Sequence, residues 1–384
     1  MQAAAFMTAQ HQKQPVGLYL HIPYCARKCR YCDFTSFCGL TDTQDTYVDR
    51  VIREMQSKAP SLQGRTVDTL FIGGGTPSLL RPDLMKRLLD AVRSCFTVEE
   101  DAEMSCEMNP GTVTADFLAV LREGGINRVS MGAQAMQDHL LTMLGRIHSA
   151  GQTMETLKLI RNAGFTNINC DVMFGLPGQT LQDLSKTLDI LLNEGITHLS
   201  CYGLICEEGT PLTAAIDRGE LTLPEEETER AMYEMCMRKA ENAGMIHYEI
   251  SNFAKPGREC LHNVHCWERR EYLGIGCAAA EFLNGVRARN PLSYEAYLKG
   301  EAAETEVIGP EDARFESMML GLRMMKGVNE KTFEEMHGMS LKEAFGKQLE
   351  PSVRDGLIVY ENGTCRLTRA GMDLQNQVLI RLMD

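Results

Sequence analysis

No stretch of this sequence has the roughly 18 to 20 consecutive apolar residues that a membrane-spanning helix needs, and Met1–Pro15 lacks the basic start and apolar core of an export signal. Basic residues are in deficit: 39 lysines and arginines stand against 52 acids, a formal net charge of −13, which argues against a sequence-independent grip on nucleic-acid phosphates. There is no duplicated motif and no low-complexity segment, which excludes solenoids and arrays. Phosphate-loop and dinucleotide fingerprints are missing too: the triple glycine Gly73-Gly74-Gly75 is followed by Thr76-Pro77 and not by Gly-Lys-Ser/Thr. These absences leave a cytoplasmic globular protein with no nucleic-acid partner as the expectation.

Cysteine, by contrast, is plentiful, with 14 residues scattered over 384. In a large chain without an export signal this reads as reduced thiols and not as a disulfide framework. Cys95, Cys106, Cys170, Cys201, Cys236 and Cys365 read as small apolar core residues. The exception is a cluster near the N-terminus.

From Gly17 to about Ile205 six short β-rich runs alternate with amphipathic stretches: Leu18–Ile22, Thr69–Gly73, Met104–Glu107, Arg128–Gly132, Ile168–Phe174 and His198–Leu204. Leu84–Phe96, Ala115–Arg122 and Leu181–Asn193 carry helical periodicity, and Gly124-Gly125, Gly164 and Gly195 sit where helices end in a left-handed cap. Repeated βα units around a parallel sheet, a partial (β/α)6 barrel, follow. After Pro211 the alternation stops. Leu223–Ala243 is helical, Tyr248–Asn290 looks like loops with short strands, and Pro310–Asp384 reads as two helices, a hairpin around Glu361-Asn362-Gly363 and a final helix, a small winged-helix-like α+β unit.

The first run ends at Pro23, and Cys25, Cys29 and Cys32 then follow at C-x3-C-x2-C spacing. Three thiolates in one loop can wrap one face of a cubane iron–sulfur cluster and leave one iron open. Zinc is the competing reading, since a fourth Cys or His completes such sites; His21 is one candidate for that role, and Cys38 is a further fourth-ligand candidate. The loop resembles the signature of the radical S-adenosylmethionine (SAM) superfamily. Its flanks, His21-Ile22-Pro23-Tyr24 and Asp33-Phe34, resemble the oxygen-independent coproporphyrinogen III oxidase family.

That resemblance implies a 4Fe–4S cluster on Cys25, Cys29 and Cys32, with SAM contacted by Tyr19, Tyr31, Gly74, Gly75, Thr76, Glu107, Gln134, Arg146 and Asp171. Read without it, the glycines are equally a tight turn and the polar residues equally caps. What supports a site is that these residues fall where successive strands end, at one barrel mouth.

The family has a decarboxylating branch and a heme-chaperone branch, called HemW. The dehydrogenase has a further cysteine two positions after the triad, where this chain has Phe34, and a longer N-terminal segment than the few residues ahead of Leu18. His262-Asn263-Val264-His265-Cys266-Trp267 resembles the chaperone branch's His-Asn-x-x-Tyr-Trp motif, which implies His262 as heme ligand. Cys266 departs from it at the usual Tyr, so His265 and Cys266 are alternative ligands, and Gly276-Cys277-Ala278-Ala279-Ala280 departs from a Gly-Ala-His-like run. The resemblance implies a heme chaperone that delivers heme to apo-hemoproteins, respiratory enzymes among them. Oxidative decarboxylation of coproporphyrinogen III is the alternative. The expected organisation is a tail (1–15), a radical SAM barrel (16–245), a barrel-completing region with the heme motif (246–309) and the winged-helix-like domain (310–384). It leaves room for a homodimer and a membrane-associated acceptor.

Overall fold

The computed structural model describes residues 14–383, so most of the expected tail lies outside the described residues. One sheet is built from β1 (Val16–Ile22), β2 (Thr66–Gly74), β3 (Thr97–Met108), β4 (Arg128–Gln134), β5 (Asn167–Phe174), β6 (His198–Gly203), β7 (Ile246–Glu249), β8 (Asn252–Ala254), β9 (Tyr272–Ile275), β10 (Ala280–Leu283), β11 (Val286–Arg289) and β12 (Glu304–Val307). Its order is β12-β11-β10-β9-β1-β2-β3-β4-β5-β6-β8-β7. The first six strands are parallel, matching the six expected runs. The barrel stays open, because β1 takes β9 as its other neighbour and β6 takes β8.

Period-2 alternation sorts the strand residues. On β1, Leu18, Leu20 and Ile22 are fully buried in the main core, while Gly17, Tyr19 and His21 occupy the alternate positions, on the inner face. The same rule puts Ile168, Cys170 and Val172 of β5 in the core, with Asn169 and Asp171 inward. The covering helices are amphipathic; the Leu181–Asn193 helix buries Leu184, Leu188 and Leu191 and starts with a capping box of Thr180 and Asp183. Gly125, Gly164 and Gly195 take left-handed φ of +87°, +85° and +70° just past helix ends.

A separate core gathers Met318, Leu322, Phe333, Phe345, Leu349 and Val378 around the antiparallel strands β13 (Val328–Asn329), β14 (Ile358–Glu361) and β15 (Thr364–Leu367). The expected hairpin is there: Asn362 and Gly363, at φ of +52° and +69°, supply the two left-handed residues of a tight turn. All 14 cysteines are free; Cys106, Cys170, Cys201, Cys236 and Cys365 are buried and Cys95 is half-buried.

One element departs from the expectation. Within the segment read as loops and short strands, Leu261–Trp267 is a helix, and it lies against the inner face of the barrel strands. Its sequence holds weak helix formers, and the side chains that stabilise it come from elsewhere in the chain, as described below.

Candidate functional site

Cys25, Cys29 and Cys32 sit half-buried in the loop that leaves β1. The loop is pinned by backbone bonds: Cys25 N donates to Phe37 O (2.9 Å), Phe37 N to Pro23 O (2.7 Å), Arg30 N to Leu144 O (2.9 Å) and Leu212 N to Arg30 O (2.8 Å). Burial pushes the Cys32 thiol above its ordinary pKa, with Cys29 and Cys25 close enough to add to it.

The donor set can be tested against a cluster. Among the described residues no three His, Cys, Asp or Glu side chains converge tightly enough to hold a single metal ion. His21, the candidate for completing zinc, has both ring nitrogens engaged: Nδ1 with Tyr19 Oη at 3.0 Å and Nε2 with Thr35 O at 2.9 Å. Three accessible thiols on one loop with that imidazole withdrawn suit a cubane with one open iron better than mononuclear zinc.

The expected SAM residues gather around this loop. Gly75 N donates to Ile22 O (2.8 Å) and Thr76 N to Tyr24 O (2.7 Å), which ties the end of β2 to the chain leaving β1. A Cβ on Gly75 would sit 2.7 Å from Tyr24 O, and one on Gly74, at φ +110°, would run into the His21 ring. The glycines therefore serve close packing of backbone on backbone as well as any ligand. Thr76 Oγ1 lies 3.6 Å from Cys25 Sγ and accepts from Asn109 Nδ2 at 2.8 Å. Asn109 Oδ1 accepts in turn from Arg146 Nη2 (2.7 Å), which also reaches Gly132 O (2.7 Å), while Nη1 points at Cys29 Sγ at 3.6 Å.

This chain of contacts links the cysteine loop to the ends of β2, β3 and β4. It holds the Arg146 guanidinium beside the cysteine loop through Asn109, Gly132 and Cys29. Tyr31 is half-buried against the Leu140–Leu144 cluster. Sequence reasoning missed Asn109, although it directly follows β3 and precedes Pro110. It also missed His148, which is 95% buried on a small cavity shared with Cys29, Thr76, Asn109 and Arg146.

Deeper on the inner face, Glu107 accepts from Gly74 N at 3.1 Å, and burial, followed by the nearby Asp171 carboxylate, raises its pKa to about 7. Asp171, held by Asn169 Nδ2 at 2.7 Å, is also raised by burial. Gln134 stands at φ +64° where the β4–β5 register slips, a strained non-glycine conformation beside the other candidates.

His262 stacks on Tyr19, one of the expected SAM residues, at 6.4 Å between ring centroids, but lies away from the cysteine loop. It faces the opposite end of the strands: its Cε1 would lie 3.3 Å from a Cβ on Gly17, and Nδ1 is 3.0 Å from Thr69 Oγ1. Gly17 to Ile22 alone spans about 16 Å of strand, so the imidazole and the cysteine loop occupy different ends of the barrel. The ring is stacked on Phe71 (5.4 Å between centroids, 27°), 5% exposed, and driven down to a pKa of about 3 by burial, hence neutral. Nε2 makes no hydrogen bond among the described residues. The alternative ligands fare worse. His265 Nε2 is engaged by Arg270, with Nδ1 3.6 Å from Asp68, and burial pushes the Cys266 thiol up to about 12. Trp267 packs under the Arg323 guanidinium, 4.6 Å from its ring centre, beside Tyr248 and Met324. The Gly276–Ala280 run closes against the end of β1, with Cys277 N donating to Tyr47 Oη at 3.0 Å.

Residues 19–191 match the Radical SAM superfamily and residues 308–374 the HemN C-terminal domain. The chain is 36% identical to the heme chaperone HemW of Bacillus subtilis (strain 168) over 94% of this chain and 97% of that protein. It is 32% identical to HemW of Escherichia coli (strain K12) over 95% and 97% respectively. Its fold is like that of coproporphyrinogen III oxidase (HemN) from Escherichia coli, a radical SAM enzyme, with a TM-score of 0.85 at 24% identity over 100% of this chain and 93% of that one.

Proposed function

The chain belongs to the HemW family of radical SAM proteins, and from that premise we propose that it binds heme through His262 and hands it to apo-hemoproteins, with a 4Fe–4S cluster and SAM at the other end of the barrel. The family implies the cluster and SAM, and heme on His262 is proposed from the side chain itself. The observation that carries it is the state of that side chain: a neutral imidazole whose Nδ1 is bonded to Thr69 and whose Nε2 has no protein partner among the described residues. A ring nitrogen oriented by a bond through the other is the usual form of a histidine iron ligand.

Cys25, Cys29 and Cys32 would hold the cluster, which when bound supplies a redox centre with an iron open to SAM. The chain's own residues do the positioning. Arg146 and Thr76 brace the sulfurs of Cys29 and Cys25, and Asn109 couples the two. Glu107 and Asp171, both shifted upward chiefly by burial, offer an acidic wall to the polar part of SAM. The same reading divides the chain at about residues 245 and 309 and puts the protein in the cytoplasm. No helix of the described residues is long and apolar enough to cross a membrane, so a membrane-associated acceptor would be met at its surface.

Heme-loaded protein mixed with an apo-hemoprotein tests this. Transfer, read as growth of the acceptor's own heme absorption band, is expected. Absence of heme binding together with anaerobic decarboxylation of coproporphyrinogen III would replace the proposal with the oxidase reading.

A further inference from the structure

We propose that His198 is a positioning residue of the SAM site: as the tautomer with its proton on Nδ1, it fixes the Asn169 amide so that the amide's N–H holds the Asp171 carboxylate for SAM. The inference rests on the reading of Asp171 as a SAM contact and adds the side chains that aim it.

Strand register brings the group together. Ser130 of β4 stands opposite Asn169 of β5, which stands opposite His198 of β6, and Asp171 lies one inward position further along β5. The intervening residues Val129, Ile168, Cys170 and Leu199 point into the main core, so these polar side chains share the inner face. Ser130, Asn169 and His198 are 6, 1 and 1% exposed, whereas Asp171 is only half-buried. The carboxylate is thus the member of the group that a ligand can meet, and the others stand behind it.

The hydrogen bonds run in one direction. Asn169 Nδ2 donates its two hydrogens to Asp171 Oδ1 (2.7 Å) and Ser130 Oγ (2.8 Å). A carboxylate only accepts, so the amide nitrogen must face it and Asn169 Oδ1 must face His198. That oxygen accepts from His198 Nδ1 at 2.6 Å and from Ser200 Oγ at 3.2 Å. The imidazole is neutral, because burial and then the Arg128 charge hold its pKa well below the usual value. Its single proton is therefore on Nδ1; on Nε2 it would set the Nδ1 lone pair against Asn169 Oδ1. Nε2 accepts instead from Tyr248 Oη at 2.8 Å, whose oxygen accepts in turn from Cys260 N at 3.3 Å. Without the Nδ1 donor the amide could turn over and present its oxygen to Asp171, which would repel the carboxylate.

The test is SAM affinity of the full, anaerobically cluster-reconstituted chain by equilibrium dialysis, together with the ring-nitrogen NMR shifts of His198 with and without SAM. His198→Asn keeps an N–H near the place of Nδ1, whereas His198→Gln keeps one near Nε2 and none toward Asn169. Asn removes more volume, so a packing role alone would make it the more damaging of the two. A positioning role reverses the order: His198→Gln is expected to weaken SAM binding roughly five- to tenfold, the equivalent of about one hydrogen bond, and His198→Asn to stay within about twofold. Equal effects, or the opposite order, overturn the proposal. In the unmodified chain the ring should carry its proton on Nδ1, and its shifts should move when SAM is added. Should the variants fail to fold, the shifts still decide, since a proton on Nε2 or a ring indifferent to SAM is incompatible with the proposal. Asp171→Asn separates this inference from the reading beneath it. If Asp171→Asn weakens SAM binding while His198→Gln does not, His198 is not the positioning residue and the SAM contact stands. If Asp171→Asn leaves SAM affinity unchanged, the reading of Asp171 fails and the inference with it.

Discussion

Replacing Glu107 with Gln should make the SAM-free protein more stable at neutral pH and less so relative to the unmodified chain as the pH falls. In the folded chain this carboxyl titrates near 7 instead of 4.5, chiefly through burial and secondly through Asp171, with the Gly74 amide opposing. At about 1.4 kcal/mol per pH unit, that displacement is worth ~3 kcal/mol. The sign follows from proton counting. Between 4.5 and about 7 the folded state holds the proton while the unfolded chain has lost it, so stability falls as pH rises through this window and the full cost is present above it. Gln cannot ionise, keeps the volume, and offers its Oε1 to the Gly74 amide. Urea unfolding of both proteins at several values from about pH 4.5 to 8 should show Glu107→Gln ahead by ~3 kcal/mol at the upper end, with the advantage vanishing toward the lower end. A difference that is flat across the range would refute the assignment of a desolvated, carboxylate-flanked site at the mouth of the barrel.

Gly75→Ala should cost about 1–3 kcal/mol in the same assay, because the new methyl would lie 2.7 Å from Tyr24 O and 2.9 Å from Ile22 O, both backbone atoms that cannot step aside. Glu54→Ala should lower stability by roughly 3 kcal/mol or more, since this buried carboxylate accepts from Tyr297 Oη (2.6 Å), Asn290 Nδ2 (2.7 Å) and Gly276 N (3.2 Å) and pairs with Lys58; the thermal midpoint reads this. Arg146→Lys should leave folding largely intact but reduce iron and sulfide retained after anaerobic reconstitution, because an ammonium cannot serve Asn109, Gly132 and Cys29 together.

Much of the architecture was legible because it is written in short-range patterns. The six parallel strands and their covering helices follow from alternation and from glycines placed two residues past helix ends, and the C-terminal hairpin from Asn362-Gly363. The cysteine loop was legible because its spacing is local. What escaped depends on contacts between residues far apart in the chain. The helix carrying His262 has little intrinsic propensity and exists where Glu103, more than 150 positions earlier, caps it. For the same reason the sequence placed His262 in the candidate site without saying that it faces the opposite end of the barrel from the cysteines. Asn109 went unread because its importance lies in joining Thr76 to Arg146, a relation visible only in three dimensions.

Heme and the cluster are predicted to occupy separate sites, and one pair of variants decides between separate and shared sites. Equilibrium heme titration, read by the heme absorption band and by quenching of Trp267, would be run beside iron and sulfide analysis for His262→Ala and for the triple variant Cys25→Ala, Cys29→Ala and Cys32→Ala. His262→Ala is predicted to lose saturable heme binding and keep its cluster, and the triple variant to lose the cluster and keep heme. Loss of heme from the triple variant with retention in His262→Ala would put heme on the cysteine loop and contradict the account.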